Sequence, residues 1–219
     1  MYRTNIIFFI AGLLSASACV QNADKQTTQI LLDYFHPVAA ADTLVFEVEQ
    51  EEGQAPAIGD TIPNALFFTV LDSALLSEIN YIADSANAVV LARRRFPLST
   101  DVEACLVDIR QFWFQHQSLL LYDSRKKAFT GRVTVAEWYG GDGGQILTGC
   151  WLVDHDRDGR RDLVRREIHH TLRPDDNGEA IDETYEAAML LVWRDGRFVE
   201  QPLSDTMLVV KRYPIRSFW

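Results

Sequence analysis

The chain reads as mainly β, an antiparallel sandwich or barrel-like sheet with one or two short N-terminal helices. Three observations lead there. From Asn87 onward the apolar residues fall in short runs of strand length, rich in Val, Leu, Tyr and Phe. Polar and glycine-rich turns separate those runs at close intervals, giving about nine or ten strands. Asp195-Gly196, flanked by the apolar runs Met189–Trp193 and Phe198-Val199, is a strong signal for a tight hairpin.

The elements follow in order. Thr27 to Phe35 places Ile30, Leu31, Leu32, Tyr34 and Phe35 as on a short helix. Thr43 to Glu49 partly alternates and reads as a strand. Gln50 to Asp60, with Glu51, Glu52, two glycines and Pro56, reads as a loop. Pro63 to Ile82 fits two states. Pro63 suits a helix start, with Leu71, Leu75, Leu76 and Ile79 at helical spacing, yet Ala65–Val70 also fits a strand. The later strands are Val89–Phe96, Val102–Arg110, Ser118–Tyr122, Phe129–Trp138, Ile146–Val153, Leu163–Ile168, Met189–Trp193, Arg197–Glu200 and Thr206–Lys211.

Between two of these strands lies Asp154-His-Asp156-Arg-Asp158-Gly159-Arg160-Arg-Asp162-Leu163. Calcium takes six to eight oxygens, and acids at loop positions 1, 3 and 5 turn inward around one ion. Gly159 relaxes the backbone, the Arg160 carbonyl stands at position 7, and Asp162 stands at position 9. Position 12, where a helical EF-hand needs a bidentate Glu, is Arg165. The expected ligands are therefore Asp154, Asp156, Asp158, the Arg160 carbonyl and Asp162, with Ca2+ as the cofactor and His155 facing away. The loop resembles the Asp-x-Asp-x-Asp-Gly-x-x-Asp-Leu loops of integrin-type (FG-GAP) β-propeller blades. It occurs once, so a whole propeller is not expected.

The N-terminus reads as an export signal. Arg3 precedes a nine-residue apolar core, Ile6–Leu14, too short to span a bilayer as a mature helix. Ser15-Ala16-Ser17-Ala18-Cys19 resembles a bacterial lipobox, and that resemblance implies lipidation at Cys19. The expected organisation is a signal peptide over 1–18, a lipidated tether over 19–28 and one mainly β domain over 29–219, with 29–85 as a candidate subregion. Cleavage removes only Arg3 among the charged residues, so the net charge of −10 becomes −11. Such a surface repels nucleic acid and suits a cation or a basic protein.

With Cys19 lipidated, Cys105 and Cys150 remain, either as a disulfide between neighbouring strands or as two buried thiols. Gly140, Gly141, Asp142, Gly143 and Gly144 form a hairpin that could serve as a binding loop. His169 and His170, adjacent in a strand, point to opposite faces and do not share an ion. Arg93-Arg-Arg95 reads as a solvated edge or as partners for nearby acids. Trp113, Trp138, Trp151 and Trp193 fit core positions better than a sugar platform. No Gly-x-Ser-x-Gly, His-Glu-x-x-His or Cys-x-x-Cys occurs.

Lipobox, β domain and calcium loop together resemble calcium-binding periplasmic lipoproteins of Gram-negative bacteria. Some of that group resemble inhibitors of lysozyme-like hydrolases or immunity proteins. The resemblance implies a lipid-anchored binding or scaffold protein of the bacterial envelope, on the outer-membrane, periplasmic or surface face, without catalytic activity. Its alternatives are an inhibitor or immunity protein against a basic, lysozyme-like cell-wall hydrolase, and an envelope hydrolase.

Overall fold

The computed structural model describes residues 25–48, 59–76, 79, 85–141, 143–174 and 176–216. Among these, ten strands form one antiparallel sheet that is not closed into a barrel. The strands are β1 (Thr43–Phe46), β2 (Asp60–Ile62), β3 (Val89–Pro97), β4 (Val102–Gln111), β5 (Phe114–Asp123), β6 (Ala128–Gly141), β7 (Gly144–Val153), β8 (Asp162–Pro174), β9 (Ala180–Arg194) and β10 (Arg197–Gln201). Their spatial order is β10-β9-β8-β7-β6-β5-β4-β3-β2, and β1 pairs with β7 off that path. The mainly β class expected from the sequence is borne out.

The sheet turns a corner at β6 and β7. These strands pair only from Glu137↔Thr148 to Gly141↔Gly144. Beyond that point the same flank of β7, Cys150 to Val153, pairs with β1. Two extra residues help β6 to coil: its register with β5 slips at Gln117/Ser118 and again at Leu121/Tyr122. One core then collects residues from both halves, including Phe46, Phe96, Leu119, Leu121, Leu152, Leu163 and Trp193.

A second core lies on the other face of β3–β5. Helix α1 (residues 25–33), α2 (Asn64–Val70) and α3 (Ser73–Leu76) belong to this region. Leu31, Leu32, Phe35 and Phe67 pack there against Val90, Val107, Leu120 and Tyr122. The N-terminal helices thus share a core with the sheet. Period-two alternation explains the unbroken apolar run of β5: Leu119 and Leu121 enter one core, Leu120 and Tyr122 the other. Each of these leucines is almost fully buried, a contribution of about 1.5–3 kcal/mol apiece.

Two expectations need correction, and one open reading is resolved. Thr206–Lys211 is not a strand but lies in helix α4 (Thr206–Arg212). Asp205 caps it by accepting a hydrogen bond from the Leu208 N–H at 2.9 Å, and Lys211 and Arg212 sit in its last turn. Val209 and Tyr213 pack with Val164, Leu190 and Val192, so tertiary contact overrides the β propensity of Val209-Val210. Asp60–Ile62, at the end of the expected loop and just beyond it, is a short edge strand on β3. The ambiguous stretch after Pro63 resolves as α2 and α3.

The outer halves of β8 and β9 extend well past the predicted strands. They carry few buried apolar residues and are held by cross-strand pairs, His170–Asp182 at 2.8 Å and Arg173–Glu183 at 3.1 Å. Among the described residues no helix is long and apolar enough to cross a membrane.

Candidate metal centre

The aspartate loop joins β7 to β8, and its ends are ladder partners, Val153↔Asp162. The chain reverses inside it through two left-handed residues, Arg157 at φ 66° and Gly159 at φ 84°. Three of its amides are satisfied by its own acids. The Asp158 N–H donates to Asp156 Oδ1 at 3.1 Å, the Gly159 N–H to Asp154 Oδ2 at 3.1 Å, and the Arg160 N–H to Asp158 Oδ1 at 2.8 Å. These bonds hold the carboxylates inward.

Asp154, Asp156 and Asp158 each offer an oxygen, and the three lie within 4.8 Å of one another. Oxygens bound to one calcium ion are at most about 5 Å apart, twice the 2.3–2.6 Å bond length. Asp154 Oδ1 is buried and has no hydrogen-bond partner. A buried, unpaired carboxylate oxygen among like charges is costly without a cation. The donor set therefore fits a hard cation.

Asp162 plays a different part from the trio. It is buried, and its Oδ1 accepts the Trp193 N–H at 3.1 Å, tying the loop exit to β9. Its Oδ2 is buried without a partner. Burial pushes its pKa up, with the charges of Asp156 and Asp158 adding to this and the backbone N–H groups of Trp193 and His155 opposing it. Arg160 is exposed, with its Nε 3.8 Å from Asp158 Oδ2. Arg165, at position 12, pairs with Glu167 at 2.7 Å. His155 is half-buried, and its Nδ1 lies 3.0 Å from the Tyr213 hydroxyl. That contact links the loop to the C-terminal segment.

The other singled-out residues are placed as follows. Cys105 and Cys150 are free thiols, so the disulfide is not formed. Cys105 lies on β4 and Cys150 on β7, strands that are not neighbours, and the two enter different cores. Gly140 (φ 141°) and Gly144 close a tight hairpin in which a Cβ at Gly140 would stand 2.2 Å from the Gly144 carbonyl oxygen. The Gly143 carbonyl also accepts the Leu172 N–H at 3.2 Å, so this tip is braced against β8. Asp142 and Cys19 lie outside the described residues. Arg93 and Arg95 serve as partners for acids, Asp108 at 3.1 Å and Glu103 at 3.2 Å.

Sequence reasoning passed over one buried array. His116 and Ser118 share a face of β5, and Glu137 is the cross-strand partner of His116. His116 Nδ1 lies 3.0 Å from Glu137 Oε1, and its Nε2 lies 2.7 Å from Ser118 Oγ. The connectivity matches a Ser–His–acid relay. Ser118 is fully buried, however, and Arg132 donates to its Oγ at 2.7 Å while standing 3.3 Å from His116 Nε2. A guanidinium there opposes the imidazolium that a general base must become. Burial likewise lowers the His116 pKa, against the pull of Glu137. Arg132 Nε also donates to the Leu75 carbonyl at 2.8 Å, so the array fastens the α3 end to the sheet. The signal available in the sequence was the polar Gln115-His-Gln-Ser118 start of a strand that continues as an apolar run.

With the geometry in place, comparison with protein-family models, curated proteins and solved structures finds no match for this chain.

Proposed function

We propose that this protein is a lipid-anchored, calcium-stabilised binding or scaffold protein of the bacterial envelope. The observation that carries the calcium reading is the aspartate trio, with three carboxylate oxygens within 4.8 Å and Asp154 Oδ1 buried and unpaired. The ion acts as a staple. It holds the β7–β8 connection, and through His155 and Tyr213 it supports the segment after α4. Arg165 at position 12 leaves no helical closing ligand, which favours constant occupancy over sensing.

The binding reading rests on what the loop borders. A cavity of about 610 Å³ lies beside it, lined by Thr43, Pro97, Ser99, Asp154, Gly159 and Arg161. Its volume falls within the usual range for ligand pockets of about 300–1,000 Å³. A rigid loop at the rim of an open groove favours recognition by preorganisation. The envelope location rests on Arg3, the apolar segment Ile6–Leu14 and Cys19.

Fractionation of cells expressing the wild type and Cys19→Ala tests the anchor. The wild type is expected in the membrane fraction and the variant in the soluble envelope fraction. Equal partitioning of the two removes the lipoprotein part of the proposal. Thermal melting with calcium and with chelator tests the staple. At 100 times Kd the ion adds about 2.7 kcal/mol, and no rise in Tm removes calcium.

A further inference from the structure

We infer that the open flank of β6 docks an extended peptide ending in a free carboxylate. Residues 131–136 of β6 pair with β5 on one side. On the other side, pairing with β7 begins only at Glu137, because β7 from Cys150 onward has taken β1. Among the described residues no strand pairs with that flank of 131–136; Val135 and Ala136 are fully buried and the Thr134 carbonyl accepts from Cys150 Sγ at 3.9 Å, so the accessible edge is the stretch 131–133. An unpaired strand edge offers its N–H and C=O groups to any extended chain, which adds as a further strand.

Beside this edge lies a second cavity, of about 420 Å³. Gly131 and Val133 of β6 line it with Leu191, Phe198, Arg165 and Arg197, and Glu137, whose carboxylate is held by His116 at 3.0 Å, lies at its inner end. Arg197 is exposed and makes no ion pair among the described residues. Arg165 pairs with Glu167, yet its Nε is buried without a hydrogen-bond partner. In a chain of net charge −10, the exposed Arg197 guanidinium above an apolar floor, with the Glu167-paired Arg165 beside it, offers a local anion contact. The arginines suit a carboxylate, Leu191 and Phe198 suit an apolar side chain, and the edge suits peptide amides. A peptide C-terminus carries all three. A fatty acid uses only the first two, and inorganic phosphate only the first.

This goes beyond the proposed function: the cavity is distinct from the one beside the aspartate loop, and it does not require the metal. Arg165 stands three residues beyond Asp162, so the loop and the pocket share one rigid strand start.

The test passes a randomised hexapeptide library over the immobilised protein in two forms, free acid and C-terminal amide, with retention read by mass spectrometry. The free acid is expected to be retained over the amide by about ten-fold, the worth of one good charge-assisted contact. Arg197→Glu removes the preference, while Arg194→Glu on the same hairpin keeps it. Equal retention of acid and amide, or an unchanged preference in Arg197→Glu, overturns the proposal. So does retention of octanoate in place of peptides, or a concentration-dependent dimer on sedimentation that is lost in Arg197→Glu. Calcium calorimetry on the same sample separates the two readings. Saturable calcium binding without acid selectivity sinks the pocket alone, and acid selectivity without calcium binding sinks the staple alone.

Discussion

Replacing Arg166 with methionine should cost about 3 kcal/mol of stability, and the contacts show why. Arg166 projects from β8 and is 1% exposed. Its guanidinium donates to the carbonyls of Val210 and Tyr213, the latter at 2.6 Å, and to the Glu186 carboxylate. Burial pulls its pKa down, opposed by Glu186. Methionine keeps most of the aliphatic volume and removes all the donors. Two carbonyls at the end of α4 are then left without their partner, at about 1–3 kcal/mol each. Escape from burying a charge returns part of that. Glu186 is 45% exposed in its side chain, so it regains water cheaply. Glu186→Gln should therefore cost less than about 1 kcal/mol. Urea denaturation followed by far-UV circular dichroism measures both, and a loss of 3 kcal/mol corresponds to about 6–12 °C in Tm. A loss below about 1 kcal/mol in Arg166→Met, or equal losses in the two variants, would refute the claim that Arg166 pins α4 to the sheet.

The buried His116 is held neutral, so its folded-state pKa lies below the unfolded value of about 6.5. Unfolding free energy should be flat above that pH and fall as pH drops below it, and His116→Gln should flatten the fall; identical acid profiles contradict this. Gly159→Ala should cost about 1–2 kcal/mol because φ is 84° with open space around the Cβ, so the penalty is backbone strain alone. A stability gain by chemical denaturation would refute that. Burial pushes the Cys105 thiol up, and that of Cys150 up to about 12. Both should resist a thiol reagent in the folded protein and react fully in denaturant; fast labelling before unfolding contradicts their burial.

What could be read in the sequence follows from local physics. The strands from Val89 to Val153 were legible because apolar runs end at Pro97, Asp123 and Gly140. The hairpin at Asp195-Gly196 was legible too, with φ of 52° and 78° at its two residues. The aspartate loop was readable as a candidate cation site because its spacing is local. Helix α4 was not, since Val209-Val210 has strand propensity and only packing against Val164 and Leu190 decides otherwise. The separate burial of Cys105 and Cys150 depends on strand order, which no local pattern encodes. The His116–Ser118–Glu137 array and the arginine pocket both join residues from different strands, and the same reason hid them.

The calcium staple stands or falls on direct titration. Isothermal calorimetry with calcium should show one saturable site in the wild type, and binding weakened at least ten-fold in both Asp154→Asn and Asp158→Asn, about 1.4 kcal/mol or more. Absence of saturable heat in the wild type, or wild-type affinity in either variant, would contradict calcium as the ion held by the aspartate trio.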